Sequence, residues 1–183
     1  MKRIIILVIL LGLTAVYGSI GENFKASGNI ISGGAYVLLN GNYSVLSFSP
    51  GFERFIADNV SLSVDPSYQY QSFTGGGAHY LGVNGGLKYY LVGDPAASRG
   101  TAHSIGGSLG AGIAFASGYR SSTMVTLSPQ YRFYYFITSR IAPYLGITLN
   151  GDFNVSYEDF DMSTMLLAGI SFHFPSRDYV MPK

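Results

Sequence analysis

Apolar and polar residues alternate with a period of two in segment after segment of this 183-residue chain. The clearest run is Val60-Ser61-Leu62-Ser63-Val64-Asp65, which continues through Ser67-Tyr68-Gln69-Tyr70-Gln71. Apolar or aromatic residues hold its even positions, and Ser, Asp and Gln hold most of the odd ones. Side chains of a strand point alternately to its two faces, so such a segment has one apolar and one polar face. Val125-Thr126-Leu127-Ser128 extends through Gln130, Arg132 and Tyr134 in the same manner and puts Arg132 on the polar face. Eight strands are predicted, over residues 24–37, 43–56, 60–73, 80–92, 103–116, 123–137, 141–156 and 162–174. Each is far longer than the roughly 5–6 residues of an ordinary strand. No helix-period stretch competes with them after residue 18. An even number of antiparallel strands brings both chain ends to one side.

Turn chemistry occupies the junctions. On the side of the termini lie Ala57-Asp58-Asn59, a longer connection over 93–102 with Asp94-Pro95, and Thr138-Ser139-Arg140. The other side carries Leu39-Asn40-Gly41-Asn42, a 73–79 loop with Gly75-Gly76-Gly77, and loops over 117–122 and 157–161. All are short, which argues against an activity borne on loops. Aromatic residues gather at two heights. Phe55, Tyr89, Tyr90, Tyr135, Phe136, Tyr144, Phe172 and Phe174 fall toward the terminal side, and Tyr36, Tyr68, Tyr70, Tyr80, Phe115 and Phe153 toward the other. Two girdles are what amphipathic rings at two water–lipid interfaces produce.

The start of the chain indicates which solvent the apolar face meets. Residues 1–18 read as a secretory signal: Lys2 and Arg3, an apolar run from Ile4 to Leu13, then small residues near Val16-Tyr17-Gly18. That run is too short for a spanning helix, which needs roughly 20 residues. No later apolar run reaches the length of a membrane helix. The absence of Cys excludes disulfides and lipid attachment through a processed cysteine. Charged residues make up only 11% of the chain, against roughly 25% in a soluble domain. Loss of Lys2 and Arg3 with the leader turns the net charge from +1 to −1. That balance leaves no basic footprint for nucleic acid and no polybasic membrane patch. An exported, poorly charged chain of alternating segments, with 15 Tyr and 24 Gly, predicts a closed antiparallel up-and-down transmembrane β-barrel of eight strands.

An approximate internal repeat supports this. Ser49-Pro50-Gly51-Phe52-Glu53-Arg54-Phe55-Ile56-Ala57-Asp58-Asn59-Val60 is echoed by Ser128-Pro129-Gln130-Tyr131-Arg132 followed by Phe136-Ile137-Thr138-Ser139-Arg140-Ile141. The two extra residues of the second copy preserve strand parity. This pattern resembles the hairpins of the small outer-membrane β-barrel family of OmpX-like and OmpA-like proteins. The Lys88-Tyr89-Tyr90 strand end and the closing Ile170-Ser171-Phe172-His173-Phe174 also resemble that family. The resemblance covers residues 24–174. It implies a signal peptide at 1–18, a barrel domain at 19–174 and a short periplasmic tail at 175–183, in the bacterial outer membrane. It also implies contact with outer-membrane lipid and lipopolysaccharide, and recognition by the barrel-insertion machinery through Ile170, Phe172 and Phe174. Family members usually stop at the aromatic residue, whereas here Pro175 ends the strand and a tail follows. A monomer is expected.

Few charges occupy the polar face: Glu53, Asp65, Lys88, Arg132 and Asp152. Charges in a narrow barrel are costly unless paired. Glu53 and Arg132 hold equivalent places in the two repeats, so a cross-lumen ion pair is expected, with Lys88 and Asp65 as further members. The same parity turns Leu46, Phe48, Phe52 and Arg54 outward. Eight strands leave room only for side chains or one small ligand, which favours a packed lumen over an ion path. His79 is the one histidine near the loops opposite the termini, and neither Ser72 nor Asp159 stands at a motif spacing from it, so no catalytic residue is assigned. His103 and His173 are expected at the terminal rim, solvated. Glu158, Asp159 and Asp161 read as a solvated loop tip and not a calcium loop. Gly75-Gly76-Gly77 lacks the Lys and helix of a phosphate cradle. Gly106, Gly107, Gly110 and Gly112 let large neighbours such as Tyr90 and Tyr134 fold across the lumen, accommodate strong bending, or make a thin wall for a partner. No cofactor or metal is expected. The favoured reading is a non-enzymatic outer-membrane barrel with a structural or surface-interaction role. The alternatives are a passive, porin-like channel for ions or small solutes, a lipid-modifying enzyme, and a soluble periplasmic barrel with its faces reversed.

Overall fold

A computed structural model of the protein describes residues 19–40, 43–73, 76–116 and 121–175. The leader assigned to 1–18, the tail after Pro175 and the tips of three loops lie outside the described residues. Each alternating segment forms one strand: β1 (Asn29–Asn40), β2 (Tyr43–Ala57), β3 (Val60–Phe73), β4 (Gly76–Val92), β5 (Gly100–Ala116), β6 (Ser122–Phe136), β7 (Ile141–Asn154) and β8 (Asp159–Phe174). Each strand pairs antiparallel with the next, and β1 pairs with β8 to close an eight-stranded barrel. Both ends of the described chain lie at one end of the barrel, which we call the terminal end; the other is the distal end.

The faces follow the period-two pattern. Along β3, Leu62 and Val64 are 49% and 51% exposed, whereas Ser61 and Ser63 are buried. The apolar residues therefore face out and the polar ones in, the inverse of a soluble protein. Leu46, Phe48, Phe52 and Arg54 face outward on β2, and Ile170, Phe172 and Phe174 share the outward parity of β8. Outward rings gather toward both ends. At the distal end Tyr68, Tyr70 and Phe115 surround His79, whose Nδ1 lies 3.0 Å from the Tyr68 hydroxyl. At the terminal end His103 packs on Tyr131 and Phe133, with its Nδ1 2.6 Å from the Tyr131 hydroxyl.

Three expectations are corrected here. The first strand starts at Asn29 and not at 24, because Ile20–Phe24 form a 3₁₀ turn. This turn folds into the terminal mouth and buries Ile20, Asn23 and Phe24. It is tied to three connections: Ile20 and Gly21 donate to the carbonyls of Ala97 and Pro95, Asn59 donates to Phe24, and the Asn23 amide donates to the Ser139 carbonyl. Asn59 turns the β2–β3 corner in the left-handed region, at φ 63°, which Asn tolerates. The second correction concerns the terminal girdle. Phe55, Tyr90, Phe136 and Tyr144 point inward and are buried, and with Phe24, Ile20 and Tyr134 they form the apolar core that closes this end. His173 is likewise not solvated: it is fully buried against Phe24, Phe136 and Tyr134.

The glycines of β5 accept side chains from β4. A Cβ on Gly106 would lie 2.8 Å from Lys88 Cγ, and one on Gly110 would collide with the Asn84 amide. They seat Lys88 and Asn84, and Gly112 seats the ring of Tyr80, so a large neighbour does fold over this strand, although it is neither Tyr90 nor Tyr134. Backbone pairing lapses at several points, and three of them bear on the wall. Between β2 and β3 it skips the stretch opposite Pro50 and Pro66, where the Ser49 hydroxyl donates to the Pro66 carbonyl at 3.2 Å. Between β6 and β7 it skips Ser128 and Pro129, where Thr148 donates to the Pro129 carbonyl at 3.2 Å. Proline brings no N–H to a ladder, so the two Ser-Pro copies of the repeat mark both lapses. The third is the seam: β1 and β8 pair from Asn29–Phe174 to Gly34–Gly169 and no further.

Candidate functional site

The lumen holds the chemistry of the molecule. Inward parity carries Glu53 from β2, Asp65 from β3, Lys88 from β4 and Arg132 from β6 into its middle, all buried. Glu53 is the hub. Lys88 Nζ lies 2.5 Å from Glu53 Oε1, while the Tyr90 and Ser61 hydroxyls donate to Oε2 at 2.5 and 3.0 Å. Lys88 also approaches Asp65 Oδ2 at 3.9 Å, and Arg132 Nη1 stands 4.0 Å from Glu53 Oε1. Two charges of each sign make the cluster neutral. All four residues singled out from the sequence meet here, but the short contact of Glu53 is with Lys88, and Arg132 stands at the limit of an ion pair. Sequence reasoning missed Tyr90 and Ser61 as partners of Glu53. Parity placed Ser61 inward on β3, the strand beside β2, but the exact register of that pair and the stagger that brings Tyr90 of β4 to Glu53 are not encoded in any local pattern.

Arg132 lies instead over the Tyr144 ring, its guanidinium carbon 5.0 Å from the centroid. Its Nε and Nη1 are buried without a hydrogen-bond partner among the described residues. Toward the terminal end the aromatic core and the 3₁₀ turn seal the barrel below the cluster. Toward the distal end the lumen widens into a cavity of about 640 Å³. Arg132 and Asp65 reach its lower part, and Ser, Thr, Asn and Gln side chains line much of its wall, with Asp152 and Asp161 farther up. Side chains thus fill the lumen only through its terminal part.

The remaining sequence candidates stay apart. Ser72 bonds Ser44 at 2.6 Å and His79 bonds Tyr68, so no Ser72–His79 pair forms. Asp159 and Asp161 each accept the backbone N–H of the following residue. A Ser–His contact does occur at Ser171 and His173, with Oγ and Nε2 2.9 Å apart, but both residues are fully buried. The Ser171 hydroxyl donates its one proton to the Ala142 carbonyl at 2.9 Å. It therefore accepts from His173 Nε2–H, the reverse of what a nucleophile and its base require.

No protein-family model matches the chain, and no curated protein matches it. Among solved structures it is similar to the N-terminal β-barrel domain of Pseudomonas aeruginosa OprF. That likeness has a TM-score of 0.54 at 17% identity and covers 82% of this chain and 98% of that one. A de novo designed transmembrane β-barrel also aligns, with a TM-score of 0.40, 14% identity and coverage of 81% of this chain and 97% of that one. The first likeness is one of fold: the chain is a closed eight-stranded antiparallel barrel of the kind found in the OprF domain.

Proposed function

We propose that the protein is an integral outer-membrane β-barrel of a bacterial envelope, a monomer with a structural or surface-interaction role and no catalytic activity. One observation carries this reading. The outer wall is apolar around its circumference, from Leu46 on β2 through Leu62, Leu87, Leu109, Leu127 and Leu145 to Ile170 on β8, each at least 49% exposed. Such a surface in water would drive association, whereas a bilayer is its natural solvent and a closed barrel leaves few backbone groups to satisfy in hydrocarbon. Bands of Tyr, Phe and His toward each end suit the two interfaces. The terminal end then faces the periplasm, and the outer leaflet with its lipopolysaccharide surrounds the distal end. Insertion through Ile170, Phe172 and Phe174 suits the outward parity of those residues.

The sealed terminal end supports a barrel that does not conduct, over the passive channel. The buried, reversed Ser171–His173 contact and the separation of Ser72 from His79 favour a non-enzyme. Protein refolded in detergent is expected to give a β-rich spectrum and a gel mobility that shifts on boiling. A monomer stable in water without detergent overturns the proposal. Lipid A of altered mass after overexpression would point to the enzyme instead.

A further inference from the structure

We propose that the distal cavity is a binding site for a short amino sugar, an oligosaccharide whose protonated amine docks between Asp152 and Asp161. The proposal rests on the surface-interaction reading above, which turns this mouth of the barrel outward. Five side chains that are more than nine-tenths buried line the cavity: Ser32 on β1, Ser47 on β2, Asp65 on β3, Ser108 on β5 and Gln130 on β6. Among the described residues none of the five makes a side-chain hydrogen bond, and their polar atoms keep accessible surface inside the cavity. Asp65 has only the 3.9 Å approach of Lys88. Elsewhere the wall satisfies itself: Ser128 donates to Asn150 and Ser49 to the Pro66 carbonyl. Buried polar groups ordinarily have partners, so five open ones converging from five strands call for water or for a ligand rich in hydroxyls. Tyr80 adds an aromatic ring, laid across Gly82 and Gly112, where a Cβ would approach it to 2.5 Å. A ring among hydroxyl and amide groups matches a sugar, which carries hydroxyls on its edge and C–H groups on its faces. The volume of about 640 Å³ suits a small-molecule site.

Charge sets the second requirement. The cluster of Glu53, Asp65, Lys88 and Arg132 at the floor is neutral, so Asp152 and Asp161 give the cavity its net charge. They stand directly opposite each other across the β7–β8 ladder, an arrangement of like charges that is destabilising when nothing lies between them. Asp152 accepts from the Thr126 hydroxyl and Asp161 from the backbone N–H of Met162. No Lys or Arg among the described residues pairs with either. Glu158 and Asp159 extend the negative charge along the mouth, whereas every Lys and Arg of the described residues lies in the middle of the barrel or at its terminal end. Such a field draws cations to the mouth. No group of three or more metal-ligating side chains forms among the described residues, and two carboxylates alone fall short of the oxygen shell of a calcium ion. An ammonium, with three donors for carboxylate oxygens, fits between them. An amino sugar supplies that ammonium together with hydroxyls for the open groups below.

Isothermal titration of the whole barrel, refolded in zwitterionic detergent, with chitobiosamine, the disaccharide of glucosamine, tests this in a mildly acidic, low-salt buffer that keeps the amines protonated. Saturable binding of one disaccharide per barrel is expected. The di-N-acetylated disaccharide, which keeps the hydroxyls and loses the charge, should bind about tenfold more weakly, the loss of a charge-assisted contact. Spermidine, charged but without hydroxyls, should also bind more weakly. Asp152→Asn with Asp161→Asn should weaken only the amine form and so abolish the difference between the two sugars. Ser108→Ala with Gln130→Ala should weaken both sugars alike. Absence of saturable heat, which leaves the cavity to water alone, overturns the proposal. So does equal affinity for the two disaccharides, undiminished binding by either double variant, or spermidine bound as tightly as the amino sugar. The gel shift on boiling, recorded for wild type and every variant, separates failure of the site from failure of the barrel reading itself.

Discussion

At the scale of single residues, Glu53 has the most to lose. It is fully buried, and its two oxygens are divided among Lys88, Tyr90 and Ser61. Removing one member of a buried pair strands the other charge, which costs on the order of 3–5 kcal/mol. Glu53→Ala is therefore expected to destabilise the barrel by that amount in urea unfolding from lipid vesicles. Glu53→Ala with Lys88→Ala should recover part of the loss, and recover more than Glu53→Ala with Arg132→Ala. That ordering follows from contacts of 2.5 Å and 4.0 Å. Additive losses in both double variants would show that neither pair is coupled. Arg54, on the outward face, should be nearly neutral when changed to Ala, because its long side chain can reach water from the rim. Parity alone made these orientations legible: Glu53 and Arg132 inward, Arg54 outward. The Lys88 contact was not legible, because a cross-lumen neighbour depends on barrel stagger, which no local pattern encodes.

At the scale of elements, the 3₁₀ turn and the residues after it act as a strap across the terminal mouth. Five residues are too few to leave a periodic signal, so the sequence offered only a strand beginning at 24. Phe55 and Phe136 misled for a related reason: an aromatic ring near a strand end fits an interface girdle and a terminal core equally well. The strap is anchored outside the barrel wall by Lys25, whose Nζ donates to Asp58 Oδ2 at 2.8 Å, while Ala26 N–H donates to Oδ1. The hydrogen bond from Lys25, and then that from Ala26, hold the Asp58 carboxyl below its ordinary value of 3.8. A carboxylate with a lowered pKa contributes stability that is present above its unfolded value and lost as pH falls through the folded one. Acid below the ordinary carboxylate range should therefore loosen the strap. The protection of the Asn59 amide, which donates to the Phe24 carbonyl at 2.7 Å, should fall there relative to its intrinsic exchange rate at the same pH, and in Asp58→Asn that step should vanish. Phe24→Ala removes the ring at the centre of the terminal core and is expected to speed proteolysis near residues 19–28, with the gel shift on boiling retained. Undiminished protection would show that the strap is held by its backbone bonds alone.

At the scale of the whole molecule, eight strands, their order and the inverted faces were all legible, because period two and a low charge content are global properties of the chain. The incomplete seam was not, since closure joins the two segments farthest apart in sequence. The sealed terminal end sets the expectation for planar bilayers: no discrete conductance steps from the wild-type barrel. Steps of constant size would reveal a continuous water path past Glu53 and Phe24. The two Ser-Pro lapses carry a mechanical consequence. One lies between the second and third strands and the other between the sixth and seventh, so in a ring of eight they stand diametrically opposed. Ladder hydrogen bonds stiffen a wall around its circumference, and a hoop creased at two opposite points flattens more readily along one diameter than along the other. The cross-section of this barrel should accordingly breathe as an ellipse with fixed axes.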